Sequence, residues 1–108
     1  MSDLLFVYIT APDLEVAKTI ARALVEERLA ACANILPLGE SLYHWQGKVE
    51  EAREVALILK TQAVLFDKLA ARCRELHPYD CPCIVGLPLA AGTSEYLSWI
   101  RAETNAPL

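Results

Sequence analysis

Leu4-Leu5-Phe6-Val7-Tyr8-Ile9, followed at once by Thr10-Ala11-Pro12-Asp13, is the stretch on which the reading of this chain turns. Side chains alternate between the two faces of a strand, so six consecutive apolar residues make both faces apolar and leave neither suited to water. The four residues after them read as a strand end running into a helix start. Thr10 and Asp13 stand at capping-box spacing, and Pro12 suits a first helical turn.

Outward from this point, Val16, Ile20, Leu24 and Ala17, Ala21, Val25 recur at intervals of four, with Glu15, Lys18, Arg22, Glu26 and Glu27 off the stripe. The period predicts an amphipathic helix of about five turns, ending between Leu29 and Ala31. Cys32 to Leu36 is a second strand, interrupted by Pro37 and Gly39 and resumed at Leu42-Tyr43-His44-Trp45. Gln46-Gly47-Lys48 supplies a turn, and Val55 to Leu59 is a third strand, so the two form a long hairpin with a bulge near Pro37 to Gly39. Thr61 stands where it would cap a second helix with the stripe Phe66, Leu69, Ala70, Cys73 and Leu76, stopped by His77-Pro78. Cys83 to Leu89 reads as a fourth strand, and a short helix carrying Tyr96, Leu97, Trp99 and Ile100 follows Gly92-Thr93. The order is that of a ferredoxin-like βαββαβ α/β domain over residues 1–108, with an extra C-terminal helix.

Val55 to Leu59 and Ile84-Val85-Gly86-Leu87 repeat the double-sided apolarity of the first strand. Two helices cover one face of such a sheet, and a ten-residue terminal helix spans little of the other. The expectation is a second face buried by another copy of the chain.

Composition narrows the function. Hydrophobic residues make up 55% of the chain, enough for a folded core, and the net charge of −4 comes without any basic run, which argues against nucleic acid as a partner. The apolar start breaks at Thr10 with no basic leader, and no stretch is long enough to span a bilayer, so a cytoplasmic protein with free thiols is expected. Phosphate loops, G-x-S-x-G and H-E-x-x-H are missing, and no nucleophile pairs with a base, which points away from an enzyme. Acylphosphatases share the element order but need a phosphate-cradling loop with an Arg after the first strand, where this chain has Thr10 to Asp13. RNA-binding domains of this topology stack bases on central-strand aromatics, and Val55 to Leu59 has none.

The densest chemistry is His77-Pro78-Tyr79-Asp80-Cys81-Pro82-Cys83, whose imidazole, carboxylate and thiols are of the types that bind copper. If Cys81 and Cys83 shared a regular strand they would point to opposite faces and could not share an ion. Cys73 falls on the apolar stripe of the second helix and reads as a core thiol. Trp45 and Tyr43 near a hairpin tip are credible interface anchors. Lys60 and Glu50-Glu51 at strand ends read either as pocket charges or as solvated termini.

Taken together, Thr10-Ala11-Pro12, Glu27-Arg28-Leu29-Ala30-Ala31-Cys32-Ala33-Asn34, Ser41-Leu42-Tyr43-His44-Trp45-Gln46-Gly47-Lys48, Leu59-Lys60-Thr61, His77-Pro78-Tyr79 and Tyr96-Leu97-Ser98-Trp99 resemble the CutA family of divalent-cation tolerance proteins. The resemblance implies a ferredoxin-like domain assembled as a homotrimer, its sheets packed inward and its long hairpin reaching a neighbour. It further implies a cytoplasmic protein tied to tolerance of copper and other divalent cations, with no organic cofactor. Cys32, in the Ala-Ala-Cys motif, and His77 are then the expected metal residues, and Cu²⁺ or another divalent cation the expected ligand. Tyr43, Trp45, Lys60, Tyr79 and Trp99 would line a cleft or interface. The alternative is a signalling module like the PII proteins, taking a small effector or a protein partner in the inter-subunit cleft.

Overall fold

Asp13 opens the first helix. In the computed structural model, which describes residues 3–105, its backbone is extended and its carboxylate accepts the Val16 N–H at 2.8 Å. Thr10, expected to share that role, lies inside the first strand β1 (Leu4–Ala11), opposite Ala56. Strand pairing runs past it to Ala11, so the cap passes to Asp13 alone.

The helix α1 (Leu14–Glu26) is shorter than its apolar stripe predicts. Arg28 turns to φ 59°, where an L-residue is strained, and the N–H groups of Leu29 and Ala30 fold back on the Leu24 carbonyl. Glu103 holds the Arg28 guanidinium at 2.9 Å across this turn. The residues after the turn pack elsewhere, with Ala31 set against Leu4 and Ile100. Thr61 is likewise not a cap. It is buried in the third strand and its hydroxyl donates to the Leu29 carbonyl at 2.6 Å, tying the end of α1 to the sheet. The second helix α2 (Phe66–Leu76) is instead entered through a 3₁₀ turn, Ala63–Leu65, without a side-chain cap.

The hairpin spans β2 (Cys32–Trp45) and β3 (Lys48–Gln62), with a register shift between Pro37 and Gly39 where the sequence placed the bulge. Its tip is two residues, Gln46 and Gly47, both at positive φ, the geometry that suits strand twist. β4 (Ile84–Pro88) starts one residue later than the apolar run, and α3 (Ser94–Glu103) closes the chain. The strands lie in the order β2-β3-β1-β4, every neighbour antiparallel, which is the ferredoxin-like arrangement.

Register sorts the two faces. Val7, Ile9, Leu57 and Leu59 turn toward α1 and α2 and are fully buried among Ile20, Leu24, Leu69 and Cys73. Each large side chain so buried contributes roughly 1.5–3 kcal/mol. Phe6, Tyr8, Ile58, Leu36, Val85 and Leu87 turn the other way. There α3 covers only one corner, through Ile100 on Leu4 and Ala31, and Leu36, Val85 and Leu87 keep 44–48% of their surface exposed.

Candidate functional site

The loop 77–83 is fixed by its histidine. The Tyr79 N–H donates to His77 Nδ1 at 3.2 Å, so that nitrogen is the acceptor; Nε2 then carries the hydrogen and donates to the Thr10 carbonyl at 2.7 Å. His77 is 8% exposed and has both ring nitrogens engaged within the chain. It stops α2, as Pro78 predicts, and fastens the loop to the end of β1.

Held in this way, the loop faces the outer half of the hairpin across a cleft of about 650 Å³. Tyr43, His44 and Trp45 form the hairpin wall; Tyr79, Asp80, Cys81 and Cys83 form the loop wall, and Glu54 sits between them. The Tyr79 hydroxyl donates to Glu54 Oε2 at 2.8 Å. Burial, and then this neighbouring carboxylate, push the Tyr79 phenol above its ordinary range. Burial, and then Glu54, raise the Cys83 thiol too, with a hydrogen bond to Thr10 pulling the other way. Among the described residues the cleft lining has two carboxylates, Glu54 and Asp80, and no Lys or Arg. Its field favours a cation and repels an anion.

Cys81 and Cys83 border the same cleft, which the strand argument did not foresee. Regular pairing starts only at Ile84 opposite Ile9, so the two thiols precede the pleat and its alternation does not apply to them. Cys73 is buried in the core, where burial pushes its thiol up to about 11.

Cys32 lies elsewhere. It starts β2 opposite Lys60, on the sheet face that α1 and α2 leave uncovered, and its thiol is 3.4 Å from the Tyr96 hydroxyl on α3. The hydrogen bond to Cys32, and then burial, push the Tyr96 phenol up to about 12. Trp99 stands against the Tyr96 ring at 5.4 Å, and the Lys60 ammonium donates to the Asn34 side chain. The expected residues therefore fall into two groups: Cys32, Lys60 and Trp99 at the corner under α3, and Tyr43, Trp45 and Tyr79 around the cleft, with His77 behind its wall. Cys32 and His77 do not form one site within a chain. Cys32 stands level with Phe6 and His77 with Thr10, four residues along β1, roughly 13 Å at strand rise. Ligands of a single ion sit within about 2.3 Å of it. Among the described residues no three His, Cys, Asp or Glu side chains are grouped to hold an ion.

Sequence reasoning missed Glu54. It stands in a charged run, and only the register after the bulge, with Glu54 opposite Gly39, turns it into the cleft.

Comparison with known proteins decides the family. Residues 5–103 match the family described as CutA1 divalent ion tolerance protein. The chain belongs to the CutA family. A curated CutA, the divalent-cation tolerance protein of Thermus thermophilus, is 56% identical over 99 residues, covering 92% of this chain and 96% of that protein. The human protein CutA is 44% identical over 99 residues; the match takes in 92% of this chain but only 55% of the human protein's length. The solved structure of the Thermus thermophilus divalent cation tolerance protein superposes with a TM-score of 0.92 at 54% identity, over 94% of this chain and 99% of that one. The family description and both Thermus thermophilus matches name divalent ion or cation tolerance, and none of the names describes a reaction. Among the described residues, no helix of this CutA chain is long and apolar enough to cross a membrane.

Proposed function

We propose that this chain works as a cytoplasmic homotrimer that takes up a divalent cation, Cu²⁺ being the one its donors suit best, and that it catalyses no reaction of its own. The observation that carries the reading is the cleft lined by Glu54, Asp80, His44, Cys81 and Cys83 with no cationic side chain among them. An anionic effector would meet two carboxylates there, so the signalling alternative is not favoured. Thiolate and imidazole match copper, whereas magnesium and calcium prefer oxygen donors.

The uncovered apolar face supports assembly, and Cys32 lies on that face, so we take its remaining ligands to come from a second subunit. Four free thiols among the described residues support a reducing compartment.

Native mass spectrometry of the reduced, metal-free protein, with and without stoichiometric Cu²⁺, tests uptake and assembly together. The expected result is a trimer that gains a defined number of ions, and fewer after Cys32→Ser. Scattered adducts at every stoichiometry would overturn the uptake reading, and a monomer would overturn the assembly.

A further inference from the structure

Cys81 and Cys83 are the two free thiols in the lining of the cleft, one residue apart in sequence. Both line one cleft; Cys81 is exposed and Cys83 half-buried, so an ion can reach the pair from solvent. Pro82 between them has no N–H to pair and fixes its own φ, and regular pairing waits until Ile84. The segment is thereby held outside the pleat, with both side chains on the same opening.

We propose that Cys81 and Cys83 form a two-thiolate site for Cu⁺. This rests on the reading that the cleft takes cations, and it adds the ligands and the oxidation state. Soft thiolates select Cu⁺, which is satisfied by two sulfurs in near-linear geometry, whereas Zn²⁺ in protein sites takes four ligands and Ca²⁺ six to eight. No group of three metal-binding side chains is assembled among the described residues, so a single chain suits the ion with the smallest demand. Glu54 and Asp80 draw a cation to the opening, but burial and then Glu54 also raise the Cys83 thiol, so its proton leaves only as the metal displaces it; the rings of Tyr43, Trp45 and Tyr79 exclude part of the water around a soft, poorly hydrated ion. Uptake replaces two S–H bonds with two S–Cu bonds and releases two protons to solvent. The copper remains Cu⁺ and no electron is transferred.

The test is anaerobic titration of the reduced, full-length protein with Cu⁺ held by bathocuproine disulfonate, following loss of the coloured chelate. Wild type should withdraw one Cu⁺ per chain and develop a thiolate-to-copper charge-transfer band in the ultraviolet. Cys81→Ser and Cys83→Ser should each lower the affinity at least tenfold and abolish the band. Because Cys81 is exposed, its serine variant tests the site without threatening the fold. Unchanged Cu⁺ withdrawal by Cys81→Ser and Cys83→Ser would overturn the proposal. If those two variants also keep full Cu²⁺ uptake, only the dithiol assignment falls. If wild type takes up neither ion, the cation reading of the cleft falls with it.

Discussion

Tyr79 shows how much at this site depends on a single hydroxyl. Its bond to Glu54 joins the loop to the hairpin, and replacing it with Phe should lower stability by roughly 1–2 kcal/mol, read as a shift in the denaturant midpoint. The same variant carries a pH signature. The folded phenol titrates above the ordinary tyrosine value of 10.0, so its contribution is complete below that pH and is lost as pH rises through the folded value. Wild type should therefore lose stability above about pH 10 more steeply than Tyr79→Phe, measured as midpoint against pH. Equal slopes would remove Tyr79 from the account. At this scale the sequence was informative about identity and silent about company. Trp45 and Tyr43 were legible as candidates because large aromatics near a hairpin tip stand out, whereas Cys32 and Tyr79 became candidates only through the family resemblance. Glu54 did not, since a carboxylate in a run of carboxylates carries no signal until the register is known. His77 was legible as a helix stop but not as a lock, because its partner is the backbone of Thr10, which sequence does not display.

Among the elements, what was legible follows from periodicity, and what was lost follows from tertiary partners. The hairpin, its two-residue tip and its bulge could be read from Gly47, Pro37 and Gly39, since each has a backbone requirement that few residues meet. The end of α1 could not. Its stripe runs past Glu26, yet the helix stops before Arg28, which takes a left-handed turn and meets Glu103 from far along the chain. Thr61 misled for the same reason: its hydroxyl is taken by Leu29 across the fold. At the other end α1 depends on Asp13 as its side-chain cap. Asp13→Ala should cost about 1 kcal/mol, seen as a lower midpoint in thermal or denaturant unfolding; an unchanged midpoint would mean that packing alone holds the first turn.

For the molecule as a whole, the uncovered sheet face is the dominant fact, and it was legible in the unbroken apolar run from Leu4 to Ile9. Two apolar faces need two covers, and α3 supplies a fraction of the second. Ile58 sits near the middle of that face, opposite Tyr8. Ile58→Lys places a charge where the proposed assembly would have to desolvate it, and sedimentation velocity should show the proposed trimer replaced by monomer. A trimer of unchanged sedimentation would mean that the subunits meet elsewhere. The strand order has a further consequence in time. β1, the first segment of the fold to be synthesised, lies between β3 and β4, and Val7 pairs with both Leu59 and Gly86, about fifty and eighty positions away. The hairpin can close locally in microseconds, but the central strand must wait for partners that leave the ribosome much later. Until Ile84 to Pro88 docks, the most hydrophobic strand of the chain has an unpaired edge. A folding chain therefore holds that edge open to chaperones and to other copies of itself until its fourth strand arrives.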